Sequence, residues 1–257
     1  MDLELHQLHV LITGGSKGIG LACAHAFLAE GAHVTLVARN PQTLEEARTQ
    51  LLQAHPHGEV GTCSADLTVA EQALAALEEA EHLRGPVDVL VNSAGAARRT
   101  PLAELTPQAW HDAMQAKFFS YIHMITPTIQ RMAARRKGVV VNVIGQGGKV
   151  ASPIHLPGGS ANAALMLATA GLAAGYADQG VRVNAVNPGL TATDRLYEGF
   201  RAESKVNGLS MEEQLAKAQA RQPMKRLPEP REIADAVVFL ASARASYVTG
   251  EIGRAHV

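Results

Sequence analysis

The sequence predicts a single α/β domain built on a doubly wound parallel sheet, with a helical lid after the sixth strand. Three observations predict it. Short β-branched runs alternate with longer helical stretches along the chain. The strand runs are continuously apolar, as strands buried on both faces are. No low-complexity linker interrupts the alternation over 257 residues, a length that suits one large domain.

Val10-Leu11-Ile12 is the first strand, followed by a Gly-rich turn and a helix over about residues 19–30. Residues 34–37 form the second strand, and Pro41-Gln42 open a helix that runs to about residue 54. A weaker third strand at 60–64 precedes an Ala- and Glu-rich helix near 69–83. Residues 87–91, 139–143 and 181–186 supply three more strands. Between the fourth and fifth, Thr106-Pro107 open a helix as N-cap and first helical residue. Arg135-Arg136-Lys137-Gly138 close it, with cations at the negative end of the helix dipole and glycine at the turn. That basic cluster therefore reads as a solvated helix end rather than an anion site. A helix over about 160–177 is rich in Ala; its small side chains suit close packing on its own sheet or against a copy of itself. Residues 190–228 carry no strand signal, and Ser210-Met211-Glu212-Glu213 within them is a capping box. Inserted material at this point commonly covers the crevice at the carboxyl ends of the strands, so a mobile substrate lid is expected.

A formal net charge of −1 argues against a general nucleic-acid or membrane-surface binder. Cys23 and Cys63 have no partner spacing, which fits a reduced interior. The N-terminus lacks a signal-peptide pattern, and no apolar run approaches the roughly 20 residues that span a bilayer. The expectation is a cytoplasmic protein. His6 and His9, and His55-Pro56-His57, lack the wider ligand set of a metal site and are expected in solvated loops.

Thr13-Gly14-Gly15-Ser16-Lys17-Gly18-Ile19-Gly20 follows the first strand and opens a helix. Glycine suits a backbone that must turn sharply and approach a pyrophosphate, and the helix N-terminus then offers free N–H groups. This is a Rossmann-type dinucleotide site. The second strand ends Val37-Ala38-Arg39, where an Asp or Glu would bond the ribose 2′-hydroxyl. Ala38 leaves no such carboxylate, while Arg39 and Lys17 offer cations to the 2′-phosphate of NADP. Exposed surface charge is the competing reading of both.

The three residues between Gly14 and Gly18 make this turn resemble that of the short-chain dehydrogenase/reductases, and other motifs resemble the family along almost the whole chain. Asn92-Ser93-Ala94-Gly95 is similar to the family's Asn-Asn-Ala-Gly, and Asp66 matches the acidic residue that meets the adenine. Asn187-Pro188-Gly189, with Thr191 and Thr193 beyond, is similar to the nicotinamide-facing turn. Arg226 to Ala234 and Ser246 to Gly250 resemble its C-terminal signatures. The resemblance implies an NADP-dependent oxidoreductase acting on a small molecule, assembled as a homodimer or homotetramer. The cofactor residues it implies are Gly14, Ser16, Lys17, Gly18, Ile19, Gly20, Arg39, Asp66, Asn92, Ala94, Gly95, Pro188, Gly189, Thr191 and Thr193.

The family's catalytic Asn-Ser-Tyr-Lys set is not matched. The four positions hold Lys117, Gly145, Gly158 and Asn162, and no Tyr-x-x-x-Lys occurs anywhere. Uncompensated, loss of the acid–base group and of an oxyanion donor lowers turnover by about four to seven orders of magnitude. Lys117 and Asn162 are the family's Asn and Lys with their places exchanged, so an ammonium is expected to reach the nicotinamide from the other helix. His155, three residues before Gly158, is the candidate proton donor. Tyr121, a turn beyond Lys117, is expected to pack at an interface. Two readings stand: an oxidoreductase using Lys117, His155 and Asn162, and a pseudoenzyme that binds the cofactor as sensor or partner subunit. A non-redox enzyme on the same scaffold is a third. Arg98-Arg99, beyond the Asn92 turn, points to an anionic substrate or partner, with solvated charge as the competing reading. After Gly250 the family continues with a strand; here residues 251–257 back-translate into a common sequencing adapter, and the natural ending is expected to differ.

Overall fold

The structure, a computed structural model, describes residues 1–95 and 97–254, the side chains at 202, 205–207 and 254 excepted. Seven strands form one sheet: β1 (His9–Thr13), β2 (His33–Ala38), β3 (Glu59–Ser64), β4 (Val89–Asn92), β5 (Gly138–Val143), β6 (Val181–Asn187) and β7 (Ile252–Arg254). All pair in parallel, in the order β3-β2-β1-β4-β5-β6-β7. The strand order reverses between β1 and β4, so the crevice for a ligand opens there, at the carboxyl ends.

The sheet is buried on both faces because successive residues point opposite ways. On one face Val10, Ile12, Val34, Leu36, Val141 and Val143 pack against α1 (Gly18–Ala29), α2 (Pro41–Ala54) and α9 (Pro230–Ala241). On the other, Leu11, Val37, Leu90, Val140 and Val183 meet α3 (Ala70–Arg84), α5 (Ser120–Ala134) and α6 (Leu156–Tyr176). These are the continuous apolar runs that predicted the sheet. The basic cluster is indeed structural: Arg135 donates to the Val87 carbonyl (2.7 Å), Arg136 to that of Asp178 (2.6 Å), and Lys137 pairs with Asp88 (3.2 Å).

Four expectations are corrected. The helix opened by Thr106 is not continuous: α4 (Pro107–Ala113) passes through a π-turn at Met114–Phe119 before α5. α6 begins at Leu156, earlier than residue 160, because Pro157 suits a first turn while Gly158 and Gly159 conceal it from propensity. The segment 190–228 holds two helices, α7 (Asp194–Asn207) and α8 (Met211–Ala220); the Ser210 capping box opens the second as expected. His9 is in no solvated loop. It is a buried strand residue whose Nδ1 faces the Gly85 carbonyl (2.8 Å) and whose Nε2 faces Thr35 Oγ1 (2.9 Å). A seventh strand also forms from the atypical ending, pairing Ile252 with Ala185 and Gly253 with Val186; residues 255–257 lie outside the described residues.

Among the described residues, no helix is long and apolar enough to cross a membrane. Nor do any three His, Cys, Asp or Glu side chains among them group as a metal site.

Candidate active site

The glycine turn is built by close approach. Gly14 has φ +67°, and a Cβ there would lie 2.8 Å from Ala94 Cα, so the turn and the loop after β4 touch. α1 starts at Gly18 with Lys17 as an N-cap that supplies no side-chain hydrogen bond, which leaves its first-turn N–H groups open. By contrast, Asn40 caps α2 and Thr193 caps α7. Ser16 is half-buried, and Lys17 and Arg39 are exposed. The Asp66 carboxyl is held below its usual range, first by the Thr68 N–H (3.0 Å), then by the Thr68 hydroxyl (2.8 Å) and more weakly by Arg39. Arg39 and Asp66 thus share the neighbourhood at the ends of β2 and β3.

Beneath the turn runs a buried donor chain. Thr13 Oγ1 donates to Asn92 Oδ1 (3.2 Å), Asn92 Nδ2 to Asn142 Oδ1 (3.0 Å), Asn142 Nδ2 to Thr169 Oγ1 (3.0 Å), and Thr169 Oγ1 to the Leu165 carbonyl (2.8 Å). Thr13 Oγ1 also accepts from the N–H groups of Ser93 and Ala94. The chain fastens β1, β4, β5 and α6 together at the site. The Asn92 side chain is fully buried and engaged in it, so Asn92 positions the turn through its side chain. Gly95, at φ +83°, packs on the Ala116 carbonyl.

Lys117 sits on the π-turn, 8% exposed. Its Nζ donates to Tyr121 Oη (2.8 Å) and to the Val143 carbonyl (3.2 Å), and Tyr121 Oη donates to the same carbonyl (2.5 Å). Desolvation, helped by Arg195, lowers the Lys117 ammonium to about 7. Desolvation pushes the Tyr121 phenol up. Tyr121 is therefore a core residue that holds Lys117 at the end of β5, not an interface residue. Its signal was the Lys-x-x-x-Tyr spacing, which puts both on one helix face. Lys117 is likewise no helix-surface cation.

His155 and Asn162 meet around two glycines. A Cβ on Gly158 would fall 2.3 Å from His155 Cε1 and 2.4 Å from Nε2. A Cβ on Gly145, whose φ is +123°, would lie 3.3 Å from Asn162 Nδ2. Asn162 is 6% exposed, and its Oδ1 has no hydrogen-bond partner; the same holds for Asn187 Oδ1 and His155 Nδ1. The imidazole is held below its ordinary value, first by desolvation and then by Arg99, Arg195 and Lys117, so it is neutral at neutral pH.

The three residues that carry these orphaned atoms line one cavity of about 1240 Å³. Ile19, Gly145, Pro188, Gly189, Thr191 and Thr193 line one side of it, and residues of α7 and α8 its other wall. Thr191 is buried with its hydroxyl on the Gly189 carbonyl, and Thr193 packs on Gly18 while capping α7. Arg195, Leu196 and Phe200 of α7 and Lys217 and Ala218 of α8 are part of that wall.

An open helix N-terminus at a strand-order reversal, beside a cavity with unpaired amides, defines a dinucleotide-binding fold with an active-site crevice. Residues 14–254 match the family model described as enoyl-(acyl carrier protein) reductase. The chain is 36% identical over 244 residues to galactitol 2-dehydrogenase (L-tagatose-forming) of Cereibacter sphaeroides, covering 94% of this chain and 90% of the relative. The protein belongs to the short-chain dehydrogenase/reductase family. Among solved structures, it is similar to L-sorbose reductase of Gluconobacter frateurii complexed with NADPH and L-sorbose, with TM-score 0.93, 29% identity and 99% and 97% of the two chains covered. It is also similar to an NADPH-bound short-chain oxidoreductase of Pseudomonas aeruginosa containing an atypical catalytic center, with TM-score 0.87, 32% identity and 97% and 96% covered.

Proposed function

We propose that this protein is an NADP(H)-dependent oxidoreductase whose proton is handled by His155 in place of the family's tyrosine. One observation carries the reading: the imidazole occupies the space where a side chain at position 158 would leave α6. Bound NADP(H) supplies or receives the hydride. The residues fit it: the open N–H groups at Gly18 suit a pyrophosphate, and the orphaned oxygens of Asn162 and Asn187 suit a carboxamide N–H₂. Lys17 and Arg39, with no carboxylate at Ala38, favour the 2′-phosphate. His155 then takes the proton of an alcohol being oxidised, or returns it to the oxygen of a carbonyl being reduced. Lys117 acts through the Val143 carbonyl and Tyr121 to fix the end of β5, and its charge biases His155 toward the neutral form. The Pseudomonas relative, with its own atypical catalytic center and bound NADPH, supports such a variant site.

A second reading keeps the cofactor and drops the chemistry. It is favoured by the Lys117 ammonium, whose hydrogen bonds go to Tyr121 and Val143. The discriminating experiment is NADPH oxidation with a panel of ketones, quinones and imines, run beside NADPH binding. Assembly as a homodimer or homotetramer belongs to the same proposal; Leu167 on α6, 77% exposed, supports a helix that meets a copy of itself.

A further inference from the structure

Resting on the oxidoreductase reading, we propose that the lid side of the cavity is an anion subsite, and that the substrate carries a carboxylate or a phosphate. Six cations line the cavity: Arg98 and Arg99 after β4, Lys149 after β5, Arg195 on α7, Lys217 on α8 and Arg221 at its C-cap. The only carboxylate among its described lining residues is Glu203, and Arg99 already pairs with it at 2.6 Å. Lys149 donates to the Ile252 carbonyl. Arg98, Arg195, Lys217 and Arg221 have no hydrogen bond or ion pair among the described residues. The chain as a whole carries a net charge of −1, so this excess is local.

These cations act on one another. Arg221, the C-cap of α8, stands four residues beyond Lys217, a spacing at which like charges repel. The Arg195 guanidinium is driven below its ordinary range by desolvation and by Arg99, against the pull of Glu198. Leu196, Phe200 and Ala218 share the same wall, and an apolar surround strengthens the attraction between a guanidinium and an anion. Arginine's planar fork also suits the paired oxygens of a carboxylate or phosphate. An anionic end held by the lid would leave the reacting carbon toward His155 and Asn162, which line the same cavity.

The test titrates protein saturated with NADPH with malonate, inorganic phosphate and neutral dimethyl malonate, by calorimetry. At least one anion is expected to bind about tenfold or more tightly than the ester, as charge-assisted pairing requires. Arg195→Met on α7 and Arg221→Met at the C-cap of α8, both exposed, should each weaken it about fivefold or more, with NADPH affinity held within about twofold. Preference for malonate assigns a carboxylate substrate, and preference for phosphate a phosphate ester. Anion binding that competes with NADPH, that survives both substitutions, or that is absent overturns the subsite. Failure of NADPH itself to bind, seen before any anion is added, contradicts the oxidoreductase reading, and the substrate assignment falls with it.

Discussion

His155 and Gly158 share one space: a Cβ on Gly158 would lie 2.3 Å from Cε1 and 2.4 Å from Nε2 of the imidazole. The ring stays over the first turn of α6 only because residue 158 has no side chain. A side chain at position 158 and the imidazole in this place therefore exclude one another.

Gly158→Tyr should therefore fail to create a standard site. The new side chain must displace His155, and overpacking of this kind costs about 1–3 kcal/mol. Its phenol has Asn162 where a lysine would lower its pKa, so it should stay near about 10. Adding Gly145→Ser places a side chain at φ +123°, a strained conformation costing about 1–3 kcal/mol more. The set Gly145→Ser, Gly158→Tyr, Asn162→Lys and Lys117→Asn should approach family-like turnover only with a lowered melting temperature. Calorimetric melts and ketone-reduction assays check both statements; robust reduction by the single Tyr variant contradicts them.

Cofactor choice follows from Ala38 and Arg39. NADPH should bind about tenfold or more tightly than NADH, about 1.4 kcal/mol, and Arg39→Asp should erase the margin. Fluorescence titration of both cofactors measures it, and equal affinities in the unmodified protein contradict it.

Lys117 gives stability a pH dependence. Its folded pKa of about 7 lies below the ordinary value. Above pH 7 the unfolded chain therefore holds up to one proton more than the folded one. Unfolding free energy should rise with pH in that range, by up to about 1.4 kcal/mol per unit, until the unfolded lysine itself titrates near about 10.4. Lys117→Met should remove that rise, while Tyr121 keeps its bond to the Val143 carbonyl. Urea unfolding at several pH values between 7 and 10 tests this, and parallel curves for the two proteins refute it.

His9 works on the acid side. Its partners fix the neutral tautomer with the proton on Nδ1, since a carbonyl only accepts, and burial lowers its pKa. The unfolded histidine gains its proton first, so stability present above about pH 6.5 should fall as the pH drops below it. His9→Gln should flatten that acid limb in thermal melts at pH 5–7; an unchanged limb excludes His9 as its source.

The sheet was legible because strands buried on both faces write themselves as apolar runs, and the glycine turn because its spacing follows from a backbone approaching phosphate. Lys117, His155 and Asn162 were found by what they replace. What they touch was not legible. The π-turn that carries Lys117 inward leaves no periodic signal, and Tyr121 looked like any aromatic one turn away. Thr193-Asp194 is a sound start for α7, but the resemblance gives Thr193 to a nicotinamide-facing turn, which masks it. His9 lay beside a loop in sequence, but its tertiary partners Gly85 and Thr35 come from distant segments.

The most direct measurement compares the unmodified protein with His155→Asn. His155 is the N-cap of α6, and Asn is among the best N-caps, so the fold should be retained. With any substrate from the ketone, quinone and imine panel that supports NADPH oxidation, turnover should fall by about 10²-fold or more, the scale of a lost acid–base group. NADPH affinity should stay within about twofold, and the unmodified enzyme should lose activity in the alcohol-oxidising direction as the pH falls through a pKa below about 6.5. Turnover unchanged by the substitution, or NADPH binding with no turnover across the whole panel, would contradict the account.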